Sequence, residues 1–172
     1  MSGKLKLVTT TNVSSNTASV TLTGIENSSV YMLVVQGMYF QTNDDVRMRV
    51  TSSGSPVTSS DYDYRHYTLY NDASDGGTIV NNNSNIDLSQ GIGTSMSNAF
   101  NMVAYLHNFN NSSEYSYIVY ENIHRNTSQG RLGSFHGGAI CDSVASHDGI
   151  TVFGGGGNDI ASGSFSLYEI EE

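Results

Sequence analysis

Residues 99–123 read AFNMVAYLHNFNNSSEYSYIVYENI and contain two alternating segments separated by a polar stretch. The residues in register within each segment are Phe100, Met102, Ala104 and Leu106 in the first, and Tyr115, Tyr117 and Val119 in the second. A period of two is typical of a β-strand with one buried face. The polar residues 108–113 between the segments predict a hairpin loop, and therefore an antiparallel pair of strands.

The same alternation extends in both directions from this hairpin. It occurs over residues 4–10, 17–25, 46–50, 61–67 and 164–170, while residues 30–35 form a continuous apolar run, VYMLVV. No segment shows the apolar spacing of an amphipathic helix over three turns. The sequence thus predicts an all-β protein, a two-sheet β-sandwich or jelly roll with about nine or ten strands and minimal helix. Alternation alone does not separate a jelly roll from an immunoglobulin-like topology, although the absence of Trp and the lone cysteine count against a true immunoglobulin domain.

Three local features refine this prediction. The apolar run 30–35 suits a central strand that is covered on both faces or lies close to a subunit contact. Residues 71–85, rich in Asn, Asp, Ser and Gly, predict the longest irregular loop, and the four glycines 154–157 predict a turn. We expect one domain over residues 1–172, in which residues 1–15 are an N-terminal arm or a first strand.

Composition excludes several function classes. The formal net charge is -9, so we expect no nucleic-acid partner, because nonspecific binding to nucleic acids relies on basic residues that neutralise phosphates. No stretch approaches the length of a membrane span and the N-terminus lacks the apolar core of a signal peptide, so we expect neither membrane association nor secretion. The single cysteine, Cys141, excludes an intrachain disulfide framework.

Candidate metal ligands are present without a metal-binding pattern. No two of the five histidines have the two-residue spacing that would place them on one face of a strand; they are His66, His107, His124, His136 and His147. The acidic pairs Asp44–Asp45 and Asp72 with Asp75 lie in predicted loops where carboxylates could hold calcium, but no complete calcium-loop motif is present. We predict no metal and no cofactor.

The signatures of catalysis are also missing. G-x-S-x-G does not occur, and the tetraglycine is not followed by the Lys and Ser/Thr of a phosphate-binding loop. Cys141 follows the apolar Ala139 and Ile140, which favours a buried structural residue over a reactive thiol. We therefore predict that the protein is not an enzyme.

The chain ends in a segment with a family resemblance. Residues 158–170, NDIASGSFSLYEI, resemble the terminal strand of tailed-phage virion structural proteins, many from marine phages, which commonly close on N-I-A-S-G-x-F-x-L-Y-G-I. In the terminal segment, Glu169 stands where the pattern usually has glycine. Residues 31–37 and 46–50 resemble an early strand pair of the same group. The resemblance implies a jelly-roll-like domain in a capsid decoration, knob or tail-fibre role. It transfers no catalytic residues.

On this resemblance we expect a capsid decoration protein that binds the major capsid protein on the virion surface, is made in the host cytoplasm, and assembles as a homotrimer. The alternative is a tail-fibre or receptor-binding module that contacts host glycans through its tyrosines. Because surplus apolar and aromatic surface is usually covered by a partner, we predict an interface in two strands. Its residues are Val30, Met32, Val34, Tyr62, Tyr64 and Tyr67.

Overall fold

Two antiparallel β-sheets pack face to face in the computed structural model, which describes residues 3–27 and 29–171. The strands are β1 (Lys4–Val13), β2 (Ser19–Thr23), β3 (Tyr31–Phe40), β4 (Val46–Ser52), β5 (Ser55–Pro56), β6 (Tyr62–Tyr70), β7 (Gly76–Asn83), β8 (Ile86–Asp87), β9 (Phe100–His107), β10 (Ser116–Asn126), β11 (Arg131–Cys141), β12 (Gly149–Gly154) and β13 (Ile160–Glu171). Within the described residues, the only helical element is a 3₁₀ turn at Met96–Asn98. The predicted all-β sandwich is confirmed.

The strand order is that of a jelly roll with two insertions. The large sheet has the order β1-β13-β3-β9-β10-β11-β6-β7, and the small sheet β2-β12-β4-β5, with β8 also paired to β4. Without the insertions β5–β7 and β10–β11, eight strands remain, four in each sheet. Among them the first strand, β1, pairs with the last, β13, and the second, β2, pairs with the second-last, β12. This nested pairing is jelly-roll connectivity. The inserted strands β10, β11, β6 and β7 widen the large sheet to eight strands.

The predicted strand count was too low: residues 3–27 and 29–171 form 13 strands where about nine or ten were expected. The strand β5 was not predicted, whereas β8 lies in residues 86–88, which the sequence indicates as strand-like; each has only two residues. Residues 71–85 were predicted as an irregular loop, but Gly76–Asn83 within them forms β7 and pairs with β6. Its sequence, GGTIVNNN, lacks a buried apolar face because β7 is an exposed edge strand held by backbone hydrogen bonds.

The core lies between the two sheets, and its polarity differs from one part of the large sheet to another. Beneath β3, β9 and β13 it is apolar, with Leu33, Phe100 and Phe165 fully buried. Beneath the inserted strands it contains polar side chains, covered by the segment 84–93; Asn122 on β10 donates from Nδ2 to the Leu88 carbonyl at 2.8 Å. The large sheet consequently carries one covered face and one face turned to solvent.

Candidate functional site

The most extensive exposed feature of the protein is the solvent-facing side of the large sheet, which we call the outer face. Its central row consists of residues paired across all eight strands. In order from β1 to β7 these are Leu7, Tyr168, Met32, Tyr105, Val119, Gly138, Arg65 and Ile79. The odd-even alternation that buries one side of each strand presents these residues on the other side.

Two flanking rows continue the outer face. On one side lie Leu5, Ile170, His107, Tyr117, Ile140 and Asp63. Val30 borders this row, because its carbonyl accepts a hydrogen bond from the Ile170 N–H. On the other side lie Thr10, Ser166, Val34, Val103, Glu121, His136, Tyr67 and Gly77. The two rows flank the central row with further aliphatic and tyrosine side chains, interspersed with polar residues such as Thr10, Ser166 and Glu121.

Exposed apolar side chains concentrate on this face. Among the described residues, thirteen large apolar side chains are exposed, and all but Met96, Tyr115 and Val144 lie on the outer face. Val119 at its centre is 53% exposed and Tyr105 beside it 41%. Single exposed apolar residues are common on proteins, but a contiguous patch of this kind marks an interaction surface.

A depression interrupts the outer face at Gly138. Because this residue has no side chain, the central row opens into a hollow of about 420 Å³ bordered by Arg65, Ile79, Val119 and Ile140. A Cβ atom placed on Gly138 would approach nothing closer than the Ile118 carbonyl oxygen, at 3.4 Å. The hollow is therefore open to a side chain from outside.

The charges of the outer face balance. Its strands present Arg65 and Arg125 as cations and Asp63 and Glu121 as anions, whereas the whole chain has a net charge of -9. His136 Nδ1 lies 3.7 Å from the Glu121 carboxylate on the neighbouring strand. The excess negative charge of the protein thus lies away from this face.

The predicted interface residues fall into two groups. Met32 and Val34 point outward from β3 and are half-buried, and Tyr67 on β6 is 51% exposed, so these three belong to the outer face together with Val30 at its border. The side of β3 that carries Tyr31, Leu33 and Val35 lies in the core, so the run 30–35 is covered fully on one face only.

Tyr62 and Tyr64 are core residues, which corrects their assignment to an exposed surface. The Tyr62 hydroxyl accepts from the Val50 N–H at 3.1 Å and donates to the Val57 carbonyl at 2.9 Å. The Tyr64 hydroxyl donates to Asp87 at 2.8 Å, and burial raises the pKa of this tyrosine to about 12. Alternation along β6 places Tyr62 and Tyr64 on one side of the strand and Tyr67 on the other, but it does not show which of the two sides faces the core.

Val119, Tyr105 and Ile79 were missed by the sequence reasoning about the interface. The signal for Val119 was present, because Tyr117 and Val119 share one side of β10 while Ile118 and Tyr120 occupy the other. Apolar residues on both sides of a strand indicate that both sides are covered. Ile79 carried no such signal, since it lies in a segment predicted to be a loop.

The five histidines do not come together. His66, His124 and His147 are buried at separate positions in the core, while His107 and His136 lie on the outer face. Within residues 3–27 and 29–171, no group of three or more His, Cys, Asp or Glu side chains has the geometry to hold a metal ion.

The acidic pairs have partners within the protein. The Asp44 carboxylate accepts from the Gly156 N–H at 2.7 Å and the Asn158 N–H at 3.0 Å, and so fixes the tetraglycine turn that the sequence predicted. Asp72 forms an ion pair with Arg131 at 2.9 Å, and Asp75 accepts from the Tyr70 N–H at 2.8 Å. Hydrogen bonds from Ser74 and Arg131 lower the pKa of Asp72 to about 2.

Comparisons with protein-family models, with curated proteins and with solved structures found no match to this chain. In the part of the chain that the structure describes, no helix is long and apolar enough to cross a membrane. The fold defines the class of the protein as a jelly-roll β-sandwich with an enlarged sheet, and the outer face is its candidate functional surface.

Proposed function

We propose that this protein is a virion structural protein of a tailed phage, a capsid decoration protein that binds and stabilises the major capsid protein shell. The observation that carries the proposal is the outer face, a broad apolar surface on a rigid sheet of eight strands. Such a surface serves stable protein contacts, because covering it removes apolar area from water. The assignment to a phage virion is supported by the resemblance of residues 158–170 to the terminal strand of phage structural proteins.

A decoration protein works mechanically. Each copy bridges neighbouring shell subunits, and the contacts repeat over the lattice, so interfaces of modest affinity add up to strong reinforcement. The sandwich suits this role because its two sheets share one core, in which Leu33, Phe100 and Phe165 are fully buried, and packed cores resist deformation.

A tail-fibre or receptor-binding module is the second candidate, and one feature favours it. The loop before β10 forms a cleft of about 520 Å³ lined by Asn108, Ser113, Glu114, Tyr115, Tyr117 and Val144. Exposed tyrosine rings next to carboxylate and amide groups are a combination that binds sugars through stacking and hydrogen bonds.

The two candidates are separated by adding purified protein to phage particles that lack it and measuring occupancy. A decoration protein saturates the shell at a fixed copy number per capsid. A receptor-binding module leaves the shell unoccupied and binds host cells, and Tyr115→Ala then weakens that binding. Failure to bind either particles or cells would contradict both candidates.

A further inference from the structure

We propose that the outer face is the contact surface between copies of this chain, and that the hollow over Gly138 receives a tyrosine of the neighbouring copy. The inference goes beyond the proposed function, since it assigns the outer face to the contact between copies of this chain and leaves the strand edges and loops of the paired molecules to contact the shell.

The size of the outer face matches a stable interface. Eight strands spaced about 4.8 Å apart, with three rows of outward side chains about 6.8 Å apart, cover roughly 38 by 20 Å, or about 780 Å² per copy. Two copies would then bury about 1,560 Å², within the range of roughly 1,200–2,000 Å² found for specific interfaces.

Charge favours another copy of the same chain on this face. Two molecules that each have a net charge of -9 repel one another over most approaches. The outer face is the exception, because Arg65 and Arg125 balance Asp63 and Glu121 on it. Two outer faces can therefore meet without a net electrostatic penalty, and opposite charges can pair across the contact.

The centre of the face supplies both a protruding group and a hollow. In a symmetric contact the same surface meets itself, so whatever fills the hollow at Gly138 must come from the outer face of the other copy. The exposed aromatic side chains available there are Tyr67, Tyr105 and Tyr117. A tyrosine that enters a hydrophobic hollow is typical of the residues that dominate binding energy at interfaces.

The test is the molar mass of the full chain, measured by size-exclusion chromatography with light scattering. We expect the wild type to have twice 18.5 kDa, because a surface that meets itself pairs two copies about a two-fold axis; the trimer predicted from the sequence would need a different contact. Val119→Arg places a charge at the centre of the face in every copy, and we expect it to raise the dissociation constant at least about a hundredfold. Gly138→Leu fills the hollow and should also shift the protein toward the monomer.

A matched control is available outside the face. Val144 is 53% exposed, as is Val119, so Val144→Arg adds the same charge to an equally exposed valine and should leave the oligomer intact. Far-ultraviolet circular dichroism confirms that each variant folds. A monomeric wild type, or a Val119→Arg variant that is folded and still oligomeric to the same degree, overturns the inference.

Failure of this inference differs from failure of the proposed function. A monomer that nonetheless saturates phage capsids overturns the self-association alone. An oligomer that is disrupted by Val119→Arg but never found in virions upholds the self-association and contradicts the decoration role.

Discussion

The Cys141 thiol contacts the His147 imidazole inside the protein, with 3.9 Å between Sγ and Nε2, and both side chains are fully buried. The other ring nitrogen of His147 lies 2.8 Å from the Ser116 hydroxyl. Burial raises the pKa of Cys141 to about 11 and lowers the pKa of His147, so both groups are neutral at pH 7. The predicted burial of Cys141 is confirmed, and the contact is a packed polar cluster rather than an accessible thiolate.

Cys141 should accordingly be protected from thiol reagents. We expect native protein to react with Ellman's reagent at least about a hundredfold more slowly than denatured protein, because reaction requires local opening. The absorbance of the nitrothiobenzoate released from the reagent follows the reaction. Denatured protein gives the endpoint, one equivalent of reacted thiol per chain. Complete reaction of the native protein within the mixing time would show that the thiol is accessible.

Adjacent glycines on β11 should respond oppositely to alanine. A Cβ on Gly137 would lie 2.4 Å from the Arg65 carbonyl oxygen and 2.6 Å from His66 Cβ, so Gly137→Ala should lower the free energy of unfolding by about 1–3 kcal/mol. A Cβ on Gly138 would meet only the Ile118 carbonyl oxygen, at an ordinary contact distance of 3.4 Å, so Gly138→Ala should be neutral or stabilise by up to about 1 kcal/mol. Urea denaturation of both variants measures the difference, and equal losses would contradict the assigned directions of these two positions.

Removal of the Asp44 carboxylate should loosen the turn at residues 154–157. Asp44→Ala leaves the N–H groups of Gly156 and Asn158 without their acceptor, and we expect the free energy of unfolding to fall by about 2–4 kcal/mol. The control is Asp75→Ala, which removes one exposed acceptor from the Tyr70 N–H and should cost less than about 1 kcal/mol. Thermal denaturation gives both values; an Asp44→Ala variant as stable as the control would show that the turn does not depend on Asp44.

The stability of the protein should decline in acid through its buried histidines. Burial lowers the pKa of His124 from 6.5 to about 4 in the folded state, and its Nε2 lies buried between Phe100 and Phe135 without a hydrogen-bond partner. The unfolded chain takes up a proton first as pH falls, so the contribution of neutral His124 is complete above pH 6.5 and is lost progressively down to about pH 4.

The corresponding measurement is the free energy of unfolding at several pH values. We expect His124→Leu to flatten the decline between pH 6.5 and about pH 4 by up to about 3 kcal/mol. Burial also lowers the pKa of His66 and His147, so a shallower dependence should remain. The exposed His136→Gln variant is the control. An unchanged slope in His124→Leu would mean that the pKa of this imidazole is the same in the folded and unfolded protein.

The sequence predicted the sandwich because most strands alternate strictly, as in β9 and β10, and one face of each is apolar. It could not predict β7 or β5, since short or edge strands are held by backbone hydrogen bonds that leave no apolar pattern, whereas the short strand β8 lies in residues 86–88, which the sequence indicates as strand-like. The jelly-roll wiring follows from pairings between distant residues, such as Leu5 with Ile170, which a single sequence does not reveal.

The candidate surface was predicted in part for the same reason. Met32, Val34 and Tyr67 lie on the outer face, whereas Tyr62 and Tyr64 lie opposite Tyr67 on β6 and enter the core. Alternation shows which residues share a side of the strand, but it does not show which side is buried. Tyrosine does not resolve this, because it is suited to both buried and exposed positions. The joining of outward residues from eight strands into one face depends on cross-strand register, which only the structure provides.

The proposed decoration role is tested most directly by the copy number of this chain in purified phage particles. Quantitative mass spectrometry against isotope-labelled peptides gives the ratio of this chain to the major capsid protein. A protein that covers the shell is present in hundreds of copies per particle, on the order of one per few capsid subunits, because it repeats with the lattice. A dozen copies or fewer would contradict the decoration role and favour the tail-fibre alternative, and absence from the particle would contradict both.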